Sequence, residues 1–155
     1  MAQQSEGIKI VSDNRQARFL YEILEKYEAG IQLKGTEVKS IREGKVNIRD
    51  GYVLFRDAEA WLLNVNVSPY QTASLYFNHE PTRTRKLLLH RDQISKLIGK
   101  VEQKGLTMVP TKMYLKRGLV KVEIALVRGK QLHDKRAAVK ERDHKREIER
   151  ALKQY

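Results

Sequence analysis

The 155-residue chain has no cysteine, only three prolines and a single tryptophan. Without cysteine there is no disulfide framework and no thiolate for nucleophilic or metal chemistry, which suits a reducing cytoplasm. No run of 18 apolar residues occurs and no signal-peptide-like apolar core, so the sequence reads as a soluble, untargeted protein with no membrane partner. Acids are scarce relative to bases: 19 Asp and Glu stand against 31 Lys and Arg, a formal charge of +12. Such an excess favours a polyanionic partner, through field steering and counterion release from phosphates. Catalytic signatures are missing as well. His79, His90, His133 and His144 show no H-E-x-x-H spacing, and no G-x-S-x-G, P-loop or G-x-G-x-x-G occurs. The expectation is a binding protein with no metal, no cofactor and no enzymatic activity.

What is present fits one domain with appendages. The apolar fraction of 41% supports a modest core, and the polar stretch 1–7 reads as a disordered N-terminus. Asp13 and Gln16 form a capping pair ahead of Ala17, Leu20, Tyr21 and Leu24, whose spacing predicts a helix over 14–27 closed by Gly30. A short second helix is expected over TEVKSIREG, with Val38 and Ile41 on one face and Gly44 as terminator. NIRDGYVLFRD and EAWLLNVNV, joined through Asp57-Ala58, read as a hairpin. Residues 68–85 lack periodicity, and a loop of that length in a small domain is more often functional than idle. Asp92 is placed to cap a third helix carrying Ile94, Leu97, Ile98 and Val101, with Gly105 ending it. LTMVPTKMYLK and LVKVEIALV flank Arg117-Gly118 as a second hairpin, with Val120, Val122, Ile124 and Leu126 on one face. About six strands, three short helices and no βαβ rhythm predict a mainly β (α+β) fold, an antiparallel barrel of the oligonucleotide-binding (OB) type spanning 8–132.

The basic residues concentrate beside the long loop and the second helix. PTRTRKLLLH (81–90) sets Arg83, Arg85 and Lys86 in an extended segment, where alternate residues share a side and both arginines could reach a phosphate backbone. Lys34, Lys39, Arg42 and Lys45 surround the second helix, and Tyr52, Tyr70 and Tyr76 are available for stacking on bases.

Beyond the last strand the character changes. Residues 128–155 carry ten Lys and Arg against five acids, and KERDHKRE has no apolar residue with which to pack. A helix polar all round is marginal alone. The segment 133–155 therefore reads as a flexible basic tail, disordered in isolation and helical against an anionic surface.

Three blocks, GTEVKSIREGKVNIRDGYVLFRD (35–57), PTRTRKLLLH (81–90) and GKQLHDKR (129–136), resemble the bacterial tmRNA-binding SmpB family, and the likeness runs from about residue 8 to the C-terminus. The resemblance implies an OB-type barrel that binds the tRNA-like domain of tmRNA and brings it to the stalled 70S ribosome for trans-translation. The elongation factor carrying aminoacylated tmRNA would be an indirect partner, and the protein itself a monomer. Carried over by position, the family's conserved acid after the first helix falls on Glu28, its RNA-contacting leucine on Leu88 and its barrel lysine on Lys121. His90 stands where some relatives have asparagine, and either residue can cap the following helix. Glu37 and Asn47 in the first block and Lys130 in the third join the expected RNA surface. The tail is expected in the decoding centre and empty message channel. There His133 would meet a decoding-site base, Lys135 and Arg136 would meet phosphates, and Asp134 would orient them or cap the tail helix. Lys140, Arg142, Lys145 and Arg146 would continue the contact. The competing reading is a structural rRNA- or ribosome-binding protein without a rescue role.

Overall fold

A computed structural model describes residues 7–74, 76–102 and 106–130, together with Arg146. Its elements run β1 (Ile8–Asp13), α1 (Arg15–Leu20), β2 (Tyr21–Ile31), α2 (Gly35–Arg42), β3 (Val46–Asn47), β4 (Tyr52–Arg56), β5 (Glu59–Leu63), β6 (Asn66–Val67), β7 (Arg85–Leu88), α3 (Arg91–Val101), β8 (Leu106–Lys116) and β9 (Leu119–Gly129). All strand pairings are antiparallel. The order β8-β4-β5-β7-β2-β9 closes on itself because β9 also pairs with β8. Six strands thus form a ring, with β1 attached outside along β8 and β3 with β6 as a small separate ladder. The expected OB-type barrel fits this closure, which removes the exposed edges an open sheet would leave.

Inside the ring, Ile41, Ile48, Leu62, Leu87, Leu97, Met108, Met113 and Ile124 are fully buried, so α2 and α3 both contribute to the core. The tight hairpins lie where the sequence places them. Asp57 and Ala58 both have positive φ, as do Arg117 and Gly118, the geometry that matches strand twist in two-residue turns. The second face of β9 is not simply solvated. Ala125 and Val127 are buried with Val109 beneath Ala17 of α1, so this short helix lids the outer wall of the barrel.

The first predicted helix is the main departure. It stops at Leu20, and residues 21–31 form β2, pairing along β9. Tyr21 and Ile23 pack with Ala125 and Val127 on the α1 side, and a bulge follows between Ile23 and Glu25. Beyond it Tyr27 and Ala29 face the core, while Glu22, Leu24, Lys26 and Glu28 are exposed. Long-range pairing outweighs the local i, i+3, i+4 signal. Gly30 accordingly lies inside a strand and not at a helix end. The cap of α1 is Asn14, whose side chain accepts from Ala17 N–H (3.2 Å) and donates to the Pro110 carbonyl (2.9 Å), while Asp13 binds Arg18. At α3 the N-terminal position belongs to His90, whose backbone N–H donates to Gln93 Oε1 (3.2 Å), and Asp92 sits in the first turn. Gly105 lies outside the described residues.

Candidate nucleic-acid interface

Strand register assembles the site. Leu88 of β7 lies opposite Gly30 of β2, Gly30 opposite Lys121 of β9, and Lys121 opposite Tyr114 of β8. Laterally paired residues point to the same face of a sheet, and here that face is the outer wall. Leu87 is in the core while Leu88 is 51% exposed, as the pleat requires. A Cβ on Gly30 would lie 3.2 Å from Leu88 Cβ, so glycine is what leaves room for the leucine to lie across β2. Between this wall and the start of α3 opens a groove of about 600 Å³, lined by Glu28, Lys86, Leu88, His90, Arg91 and Lys121, with Asp57 and Glu59 at its β4–β5 end. The structure therefore draws five of the expected RNA residues, separated by up to 93 positions, into one depression. Its mixed lining suits RNA: lysines and arginine for phosphates, carboxylates to accept from base amino groups, an exposed leucine against a base face.

Glu28 is held in place. The Tyr114 hydroxyl reaches across β9 to donate to Glu28 Oε2, and Lys116 Nζ lies 3.4 Å from the same carboxylate. Led by the Tyr114 hydrogen bond, these donors, with Lys121 nearby, keep the carboxyl below the usual carboxylate range, although partial burial acts upward. Burial first and the Glu28 contact second push the Tyr114 phenol up, so it remains a protonated donor. The acid lies within β2 and not after a helix, and a strand neighbour fixes it. Because the folded pKa is depressed, this contact adds stability that is present at neutral pH and lost as pH falls through the folded pKa. The group is part-exposed, so solvent screening keeps that contribution small. Tyr114→Phe should move the Glu28 titration upward, towards the ordinary glutamate range, in carboxyl-carbon NMR. An unmoved titration would assign the depression to the lysines instead.

Two expected contacts are corrected. Glu37 and Arg85 are both fully buried and pair at 2.5 Å, so neither presents a surface to a polynucleotide. Arg83 and Arg85 do share a side, as their spacing predicts, but that side faces Glu37: Arg83 Nη2 donates to its Oε1 at 2.6 Å. Burial alone would raise the Glu37 carboxyl, but hydrogen bonds from Arg83, the Lys34 backbone N–H (2.7 Å) and Arg85 outweigh it and hold it low. Lys86 bridges to Glu59 at 3.0 Å on the groove rim. Lys34 and Asn47 are exposed away from the groove lining, Lys39 lies over the Tyr70 ring at 5.4 Å, and Lys130 over Phe19 at 5.8 Å. His133, Asp134, Lys135, Arg136, Lys140, Arg142 and Lys145 lie outside the described residues, and Arg146 is exposed. His79 is buried, with Nε2–H donating to the Val67 carbonyl (2.8 Å) and Nδ1 2.9 Å from the Thr36 hydroxyl. Among the described residues no group of three His, Cys, Asp or Glu could hold a metal.

Asp57, Glu59 and Arg91, which line the groove, and Tyr114, which holds Glu28, are the residues that sequence reasoning missed. The signal for Tyr114 was there: counting back from the Arg117-Gly118 turn sets it opposite Lys121. Glu59 needed the β5–β7 pairing, which no local pattern announces.

Known proteins resemble this chain along its length. The family model for SmpB protein matches residues 11–154. The chain is 66% identical over 155 residues to the SsrA-binding protein of Nostoc punctiforme and 68% identical over 156 residues to that of Trichodesmium erythraeum, with 100% of both chains covered in each case. With the SsrA-binding protein of Synechocystis it shares 65% over 153 residues, covering 99% of each. A solved chain described as "tmRNA-SmpB: a journey to the center of the bacterial ribosome" matches with a TM-score of 0.66 and 53% identity, over 82% of this chain and 92% of that one.

Proposed function

The chain belongs to the SmpB family, and from that premise we propose how its surfaces divide the work. It binds tmRNA and delivers it to the ribosome. The groove between β2, β7, β9 and α3 holds the tRNA-like domain of tmRNA. The tail from His133 onward enters the decoding centre and the empty message channel of a stalled ribosome. A tRNA-like molecule that brings no anticodon stem leaves that space unfilled, and a cationic segment suits a channel walled by phosphates. The protein contributes binding and positioning with no catalytic step of its own, and its work on the ribosome sets it in the cytoplasm.

The observation that carries the groove assignment is the convergence of Glu28, Lys86, Leu88, His90 and Lys121 around one depression. Leu88 offers an apolar surface to a base or ribose, Lys121 a cation to a phosphate, and Glu28 a fixed, ionised acceptor. The decisive test is to recover RNA from a cell extract on the purified protein. One tmRNA-sized species is expected, and ribosomal RNA alone would favour a purely structural ribosomal role. tmRNA affinity should fall steeply with salt, with a log-log slope of about −0.9 per phosphate neutralised in duplex-like contacts. Lys121→Ala should weaken binding and make that slope shallower by about one such contact. An unchanged slope would remove Lys121 from the phosphate contacts.

A further inference from the structure

Tyr76 and Phe77 stand at 90% and 77% exposure, at the tip of the loop joining β6 to β7. Leaving two large aromatic rings in water forgoes the burial that normally secures such side chains. The chain around them is tied down. Phe77 N–H donates to the Ser74 carbonyl (3.1 Å), and Asn78 clamps Tyr70 through both backbone groups, at 3.0 and 2.9 Å. His79 follows, buried and hydrogen-bonded on both ring nitrogens. The two rings meet edge to face, 5.4 Å apart at 75°, so they form one small knuckle. Lys39 of α2 rests over the ring of Tyr70, the residue that Asn78 clamps. Arg42, exposed one turn on, donates from Nη2 to the Gly118 carbonyl (3.3 Å), which leaves further N–H groups of its guanidinium for a phosphate. Lys45 is paired with Glu43 at 3.1 Å and adds little net charge.

We propose that this knuckle is a second RNA-contacting surface, taking unpaired bases of ribosomal RNA onto Tyr76 and Phe77 while Lys39 and Arg42 meet the adjoining phosphates. Exposed aromatics flanked by cations are the combination that unstacked bases recognise. The choice of RNA rests on the preceding assignment of the groove to tmRNA. None of Tyr70, Tyr76, Phe77 or Lys39 lines that groove, so a seated tmRNA leaves this face to the ribosome it is delivered to.

The test uses the full-length chain with Tyr76→Ser and Phe77→Ser together, beside the wild type, against a tmRNA transcript and vacant 70S ribosomes. The variant should keep its unfolding midpoint, bind tmRNA within about twofold, and bind ribosomes roughly tenfold or more weakly. A parallel loss of tmRNA affinity would give the knuckle to the first RNA and overturn the proposal, as would unchanged binding to both. With a photoreactive benzoylphenylalanine in place of Phe77, irradiation on the ribosome should yield crosslinks to ribosomal RNA; crosslinks only to a ribosomal protein would also overturn it. Failure of the wild type to bind tmRNA would instead strike at the groove assignment.

Discussion

Glu37→Gln is expected to destabilise the barrel by about 3–5 kcal/mol, because it leaves the Arg85 charge buried without its counter-ion. The side chains of both residues are fully buried. Arg85 also donates to the carbonyls of Val65 (2.8 Å) and Pro81 (3.1 Å), which ties β7 to the ends of β6 and of the long loop. The guanidinium cannot shed its proton in response, so the protein must unfold locally or admit water. A drop in unfolding midpoint on the order of 10 °C follows from such a loss in a domain of this size. Arg83→Ala should cost much less, since Arg83 is part-exposed and Glu37 keeps Arg85 and the Lys34 N–H. The wild type should also lose stability more steeply in acid than the variant does. The folded-state pKa of Glu37 is depressed, so its stabilisation is complete above the unfolded value of about 4.3 and fades as pH falls through the folded one. A midpoint shift no larger than that of Arg83→Ala would show that water already serves Arg85.

The same pair shows where sequence reading succeeds and where it fails. Alternation in PTRTRKLLLH correctly sets Arg83 and Arg85 on one side and separates Leu87 from Leu88. What alternation cannot say is which side meets water. That depended on a buried carboxylate from α2, 48 positions upstream of Arg85. The helix at 14–27 failed for a related reason. Residues 20–24 satisfy a helical spacing while 21–29 satisfy a strand spacing, and only the presence of β9 as a partner decides between them. Both hairpins were legible because their turns are local. In the groove, the identities of Glu28, Leu88 and Lys121 came from family resemblance, whereas their adjacency is a product of register across β7, β2 and β9. Tyr114, which holds Glu28, could have been found by counting from a turn.

Asp134→Ala combined with Lys135→Ala is expected to abolish tagging while leaving tmRNA affinity intact. The physical basis is distance along β9. Lys121 lies in the groove wall, and the strand continues eight residues to Gly129, about 25 Å away at some 3.3 Å per residue. The last described tie there is Lys130 N–H to the Leu20 carbonyl at 3.3 Å, at the end of α1. A segment rooted at that point starts well away from an RNA seated against Lys121, Gly30 and Leu88. Substitutions in it should therefore leave the groove's contacts as they are. Gel-shift titration with tmRNA measures the first half of the expectation, and tag incorporation on stalled ribosomes the second. Removing 133–155 altogether should leave the unfolding midpoint nearly unchanged, because among the described residues the buried core reaches no further along the chain than Val127. If the double variant instead lost tmRNA affinity as completely as it lost tagging, groove and tail would be one binding surface. The separation along β9 would then have to be closed by the tail folding back across the outer wall towards Lys121.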